Sequence, residues 1–216
     1  MKQKSFAVLG LGKYGYGVAK ELMNRGAQVL VADKRPEIIE QTAREFTEAV
    51  NADLSDPKAI RELGLGAMDA VIVAMATDLE ASIMCVMLAK EAGVHRVIAK
   101  AETDRKGDIL KRVGADEIIY PERESGMRTA FQLMVRDVFQ FIGLSSDLYM
   151  IEMLPKPEWV GRRLADLNIR STQGINVIAI RHENTVRAVK DPYITIEKED
   201  SLLIVITKQD LDRFIS

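Results

Sequence analysis

The apolar run Phe6-Ala7-Val8-Leu9 passes directly into Gly10-Leu11-Gly12-Lys13-Tyr14-Gly15, and this junction constrains the fold more than any other stretch of the chain. A buried strand that ends in GxGxxG and then opens a helical pattern describes the first strand, turn and helix of a Rossmann sheet. Gly10 permits the tight turn, Gly12 lets the backbone approach a diphosphate, and Gly15 allows the helix to pack on the strand. The N–H groups and positive end of that helix then hold the phosphates.

The pattern repeats along the N-terminal part. Strand-like runs at 6–9, 28–32, 48–50, 70–74, 96–100 and 117–119 alternate with helical patterns at 13–25, 36–45, 56–63, 78–92 and 104–113. The central runs are apolar throughout rather than alternating, as a parallel sheet covered on both faces requires. Gly26, Gly64, Gly93 and Gly114 each follow a helical stretch, where a left-handed residue is wanted. The expected fold class is therefore α/β, a doubly wound parallel sheet. Strand two ends at Asp33, eighteen residues after Gly15. An acid there accepts from a ribose 2′-hydroxyl and disfavours a 2′-phosphate, although Lys34 and Arg35 stand beside it.

Residues 126–142 carry Met127, Ala130, Phe131, Met134, Val135, Val138, Phe139 and Ile142 at helical spacing, with two apolar faces. Two readings remain open, a helix wedged between two domains and a crossover helix that also packs on a partner subunit. After Leu144-Ser145-Ser146-Asp147 the character changes to a small α+β module. Its expected strands are 149–154, 176–181, 185–188 and 202–207, its helices 162–168 and 209–215, and its hairpin turn His182-Glu183-Asn184. The expected domains are 1–125, a crossover segment 126–146, and 147–216.

Other classes find little support. The formal net charge is −2, with both signs interspersed, so no basic field favours nucleic acid. The longest apolar run, from Ala70 to Ala76, is far short of the roughly 20 residues of a spanning helix. No secretory leader pattern precedes Phe6, which leads to the expectation of a cytoplasmic protein without direct membrane insertion. Cys85 is the single cysteine and sits on an apolar helical face, a structural thiol. No GxxxxGK[ST] occurs, which sets aside a P-loop NTPase.

Three functions remain in contention. A small NAD-dependent oxidoreductase or epimerase needs a positioned acid or base, yet the only histidines are His95 and His182. A standalone nucleotide or redox sensor acting on DNA needs a basic recognition element, and the C-terminal module balances its charges. The third is a non-enzymatic nucleotide sensor. Inside the turn, Lys13 reads either as a solvated lysine or as a cation that reaches a terminal phosphate. Glu122, after the sixth strand, reads either as a helix N-terminal acid or as a carboxylate meeting a phosphate through a divalent cation such as Mg²⁺.

Several stretches together resemble the RCK-domain regulatory subunits of Ktr/Trk potassium uptake systems. They are residues 6–15, Val31-Ala32-Asp33, Asn51-Ala52-Asp53, 70–74, Ala99-Lys100-Ala101 and 114–122, whose string is GADEIIYPE; in the C-terminal part they are 164–170 and 174–182. The resemblance implies an RCK N-terminal lobe that binds ATP, ADP or NAD(H), a crossover and an RCK C-terminal lobe. It implies homodimers that assemble into an octameric ring beneath a membrane potassium-channel subunit of the KtrB or TrkH type, on the inner face of the membrane. The implied nucleotide site comprises Gly10, Leu11, Gly12, Lys13, Tyr14, Gly15, Asp33, Lys34, Ala52, Asp53, Leu54, Ala74, Met75, Ala76, Lys100 and Glu122. In it Asp33 holds the ribose, Lys13 faces the γ-phosphate and Glu122 completes a cation site with ATP. Some members bind cyclic di-AMP in the C-terminal lobe. The matching positions are Arg170, Asn176, Ile178, Ile180 and His182, which read equally as a surface arginine and plain core isoleucines. The chain departs from the family by carrying Lys13 where arginine is usual, and Ala76-Thr77-Asp78 where a loop glycine is frequent.

Overall fold

A computed structural model describes residues 3–134, 138–145 and 147–215, and the chain divides into two compact units, 1–123 and 124–216. The first unit holds a six-stranded parallel sheet in the order β3-β2-β1-β4-β5-β6. Its strands are β1 (Ser5–Leu9), β2 (Gln28–Asp33), β3 (Glu48–Asn51), β4 (Ala70–Val73), β5 (Arg96–Lys100) and β6 (Glu117–Ile119). Helices α1 (Lys13–Asn24), α2 (Pro36–Thr42), α3 (Pro57–Glu62), α4 (Leu79–Glu91) and α5 (Asp104–Arg112) form the crossovers, and α6 (Pro121–Met134) follows β6.

The unbroken apolar character of these strands has a direct structural cause. Ala7 and Leu9 of β1, Leu30 and Ala32 of β2, and Val71 and Val73 of β4 enter one core. Their neighbours Val8, Val29, Val31 and Ile72 enter a second core on the other face. A strand buried on both sides has no position left for a polar side chain. Each fully buried Leu or Val there contributes about 1.5–3 kcal/mol. Cys85 lies in the first core, where burial pushes its thiol up to about 12. It is therefore an inert packing residue at neutral pH.

The order reverses between β1 and β4, which leave in opposite directions across the sheet. At such a switch point the loops after the strands separate and leave a crevice at the carboxyl edge. The four glycines expected after helices all take positive φ, from +63° at Gly64 to +116° at Gly114.

The second unit is a five-stranded antiparallel sheet ordered β10-β9-β11-β8-β7. Its strands are β7 (Val138–Gly143), β8 (Leu148–Met153), β9 (Asn176–His182), β10 (Thr185–Ala188) and β11 (Asp200–Thr207). Helices α7 (Leu164–Leu167), α8 (Ile169–Gln173) and α9 (Lys208–Ile215) complete it. One sheet face carries the core, with Ile151, Ile180, Leu202, Ile204 and Ile206 around the buried Trp159. Off this core, the buried Glu152 accepts from Arg181 Nε at 2.6 Å and from Ser201 Oγ at 2.7 Å.

Two sequence expectations are corrected here. The helical reading of 126–142 fails beyond Met134: residues 138–143 form β7, paired antiparallel with β8. Val135 lies outside the described residues, as does Ser146 of the following turn. A stretch that is apolar on both faces satisfies helical and strand spacing alike, and here β-branched and aromatic residues favour the strand. The pairing skips Phe139, a bulge that leaves Phe139 exposed while Phe141 turns inward to stack on Phe131 and Tyr149. Second, the helix expected over 162–168 is only α7, Leu164–Leu167; it ends where Asn168 takes φ 49°, and an unexpected second short helix, α8, follows from Ile169. Asparagine tolerates this left-handed conformation, and its carbonyl accepts from the N–H groups of Ser171 and Thr172. In β9 the alternation of faces is interrupted between Asn176 and His182. The pairing with β11 passes from Ala179 to Val177, so Ile178 is a bulged residue. Val177 and Ile180 therefore share the core face, and Asn176 and His182 no longer belong to one row.

Candidate functional site

All six parallel strands deliver residues to a cavity of about 520 Å³ at their carboxyl ends. Gly10 and Gly12 follow β1, Asp33 ends β2, and Asp53, Leu54 and Ser55 follow β3. Ala74 to Asp78 follow β4, Lys100 and Glu102 come from the end of β5, and Glu122 follows β6.

The three glycines of the turn do different things. Gly10 adopts φ +95°, and a Cβ there would lie 2.6 Å from Met75 Cγ. At Gly15 a Cβ would lie 2.0 Å from the carbonyl oxygen of Gly10 and 3.0 Å from Ala74 Cβ. Both are required by the fold itself. Gly12, in contrast, has ordinary extended φ and no atom within 4 Å of where its Cβ would stand. It lines the cavity and caps α1 without a side-chain hydrogen bond, and the first turn of α1 contains no acid. The open space at Gly12 thus borders N–H groups that lack intrahelical partners, the geometry of an anion site. The residues present fit a nucleotide phosphate.

Asp33 is buried, and its carboxylate is fully engaged. Leu11 N donates to Oδ2 at 2.7 Å, and Arg35 donates from its main chain, its Nε and its Nη2 at 3.0, 2.8 and 2.8 Å. Burial pushes the Asp33 carboxyl up, but the Arg35 fork and the two N–H donors outweigh it and hold the group below the usual carboxylate range. The main chain of Asp33 is pinned as well, since its carbonyl accepts from Ala52 N and Asn51 Nδ2, both at 3.1 Å.

Lys100 Nζ donates to Glu122 Oε1 at 2.5 Å, which keeps the Glu122 carboxyl below its usual range. The same ammonium lies 5.9 Å from the Tyr14 ring centroid. Asp53 is exposed and accepts from the N–H and hydroxyl of Ser55 at 3.0 and 2.7 Å, which lowers its carboxyl. The loop after β4 is braced from three sides. Ser82 Oγ donates to Met75 O at 2.7 Å, Lys106 Nζ to Ala76 O at 2.9 Å, and Asp78 accepts from Ala81 N at 3.0 Å. Those bonds give the glycine-free Ala76-Thr77-Asp78 turn a fixed path.

Of the residues expected from sequence, Gly10, Gly12, Asp33, Lys34, Asp53, Leu54, Ala74, Met75, Ala76, Lys100 and Glu122 line this cavity. Leu11, Gly15 and Ala52 are buried behind it as supports. Lys13 and Tyr14 instead line a shallow depression on α1 with Val18 and Leu22. Arg35, Ser55, Thr77, Asp78, Ala81 and Glu102 line the cavity without having been expected there. Only Arg35 had a signal, its place two residues after the ribose acid; the others arrive by tertiary geometry. Five carboxylates (Asp33, Asp53, Asp78, Glu102, Glu122) face three cations (Lys34, Arg35, Lys100). Net side-chain charge therefore does not favour a phosphate here, and the attraction this lining offers an anion comes from the main chain of the turn.

A second cavity of about 380 Å³ lies in the C-terminal unit, lined by Asn168, Arg170, Asn176, Lys190 and apolar residues. It brings Arg170 and Asn176 together but leaves out Ile178, Ile180 and His182. Ile180 is core, and His182 Nδ1 lies 2.8 Å from Asp200 Oδ1 and 3.7 Å from Glu197.

Residues 6–121 match the TrkA-N domain and residues 148–216 the TrkA-C domain. The chain is 34% identical over 214 residues to Ktr system potassium uptake protein C of Bacillus subtilis (strain 168), covering 98% of this chain and 96% of that protein. It is 35% identical over 207 residues to Ktr system potassium uptake protein A of Vibrio alginolyticus, covering 96% and 94%. Among solved structures it is similar to the GsuK channel bound to NAD, with TM-score 0.65 at 15% identity. That match covers all of this chain but 40% of the other, so the chain spans less than half the channel's length and shares its fold. Among the described residues, no helix is long and apolar enough to cross a membrane.

Proposed function

The chain belongs to the family that joins a TrkA-N domain to a TrkA-C domain, and from that premise we propose that it is a nucleotide-sensing regulatory subunit of a potassium uptake system. The observation that carries this reading is the open, uncapped α1 N-terminus at Gly12, set over a cavity that also holds the buried acid Asp33, tied to the turn through Leu11 N. An adenine nucleotide placed there meets N–H groups with its phosphates and Asp33 with its ribose. ATP, ADP and NAD(H) share that half. The cavity's hydroxyl–carboxylate pair, Ser55 with Asp53, has its carboxyl held below the usual range and so is a weak general base, in keeping with a site that binds its ligand rather than reacting it.

Signalling then rests on differential contact. ATP and ADP differ by one phosphate, and only groups that meet it unequally can shift an equilibrium between two states of an assembly. We assign that contact to Glu122, which lines the cavity and acts through a divalent cation, and to Lys13, which lies outside the cavity on α1 and has to swing its ammonium over the turn to reach a third phosphate. The excess of carboxylates in the cavity supports a cation accompanying a triphosphate. Lys100 holds Glu122, so a cation competes with that ammonium. The regulated partner is a membrane potassium-channel subunit, contacted by homodimers assembled into an octameric ring. Arg170 and Asn176, with Lys190, form the C-terminal subsite for a second anionic ligand of the cyclic di-AMP type.

Calorimetric titration of ATP, ADP and NADH tests the proposal. Lys13→Ala should weaken ATP by about threefold to tenfold while leaving ADP nearly unchanged, the size of one exposed charge contact. Equal loss for both nucleotides removes Lys13 from the terminal phosphate, and no binding by any of the three removes the site.

A further inference from the structure

The Asp33 carboxylate presents four acceptor positions, and all four are filled from within the chain. Two are taken by the main-chain N–H groups of Leu11 and Arg35, at 2.7 and 3.0 Å. The first belongs to the glycine turn and the second to the segment that joins β2 to α2, and neither can leave without rebuilding the main chain. The other two are taken by the guanidinium of Arg35, with Nε on Oδ1 and Nη2 on Oδ2, both at 2.8 Å. This parallel pair is the bidentate geometry that arginine makes with a carboxylate. The two partners differ sharply in exposure: the Asp33 side chain is 7% exposed and that of Arg35 is 45% exposed, so solvent and a ligand reach the guanidinium and not the carboxylate behind it. Asp33 and Arg35 both line the cavity, so the guanidinium occupies the carboxylate that the ribose would use.

A ribose hydroxyl that donates to Asp33 has to take one of the four places. The main-chain donors are fixed, so it takes a guanidinium place. Resting on the reading of this cavity as a nucleotide site, we infer that Arg35 is a displaceable internal occupant of the ribose subsite, which sets how strongly the site distinguishes a nucleotide with a 2′-hydroxyl from one without. A ligand that has the hydroxyl exchanges it for the arginine fork and gains only the difference. A 2′-deoxy ligand leaves the fork in place and neither gains nor loses there. The wild-type chain should therefore discriminate poorly between the two. Without the fork, Asp33 keeps its two main-chain donors and has two places open, and discrimination should rise.

The test is calorimetric titration of ADP and 2′-deoxy-ADP against the full-length wild-type chain and Arg35→Ala. The substitution should tighten ADP by about threefold to tenfold, the range of a half-exposed bidentate pair, and leave 2′-deoxy-ADP within about twofold. Arg35→Lys keeps the positive charge but cannot form the fork, so it should tighten ADP in the same direction by less. It carries the test if the alanine variant fails to fold. Weaker ADP binding in Arg35→Ala, or equal shifts for both ligands, overturns the inference and leaves the nucleotide site standing. Adenosine 2′,5′-bisphosphate is the third ligand: if its affinity falls in Arg35→Ala while that of ADP does not rise, Arg35 is a 2′-phosphate ligand and the inference is overturned. Binding of no nucleotide by either protein overturns the site and the inference together.

Discussion

In the cavity above the parallel sheet, the groups facing a phosphate are main-chain N–H groups at the start of α1, and carboxylates outnumber cations around them. In the C-terminal cavity the charged lining is Arg170 and Lys190, with no acid beside them. The proposed nucleotide site is thus made by the path of the backbone, and the proposed second anion site by side chains. A backbone site is intolerant of atoms added to its turn but indifferent to many charge changes nearby. A side-chain site is the reverse, since each cation is a separate, removable contribution.

The sharpest way to break this comparison is at the turn. Gly15→Ala would force a Cβ to 2.0 Å from Gly10 O, where only backbone movement relieves the clash. It should lower stability by about 3 kcal/mol or more in denaturant unfolding. Gly12→Ala meets no atom within 4 Å, and should unfold within about 0.5 kcal/mol of wild type while losing ADP affinity in titration. If both variants keep ADP affinity, the phosphates do not sit on the turn.

A smaller effect is expected in the other cavity. Arg170→Ala should weaken cyclic di-AMP by about tenfold or more, a charge-assisted contact, with ADP affinity unchanged. A parallel loss of ADP affinity would mean that the two anion sites are not independent.

The smallest effect concerns His182, whose hydrogen bond to the buried Asp200 carboxylate raises the imidazole above the ordinary value of 6.5. A group whose folded pKa is raised adds stability that is complete below 6.5 and is lost as pH rises through the folded value. His182→Gln should therefore melt lower than wild type at acidic pH, with the gap closing towards alkaline pH. A gap independent of pH would show that the ring acts by packing alone.

The N-terminal fold was legible because its signals are local. Leu9, Val31 and Val73 sit in strands apolar on both faces, a pattern that a doubly covered parallel strand demands. The C-terminal unit was legible in part, since its hairpin and the β8 and β11 strands follow simple patterns. Its bulges at Phe139 and Ile178 did not, because a bulge is set by pairing with a distant strand and leaves no mark in its own stretch. The misread helix beyond Met134 has the same origin.

The sequence alone determined the Rossmann class, the turn at Gly10 to Gly15 and the acid at Asp33, since spacing and residue type carry backbone geometry directly. The tertiary structure decided which charges meet. It joined Arg35 to Asp33 and Lys100 to Glu122 and placed Lys13 outside the cavity. It also separated His182 from Arg170 and Asn176. Long charged side chains sweep several ångströms, and their partners lie on other strands and loops, so ion pairing is settled only when the sheet brings those loops together.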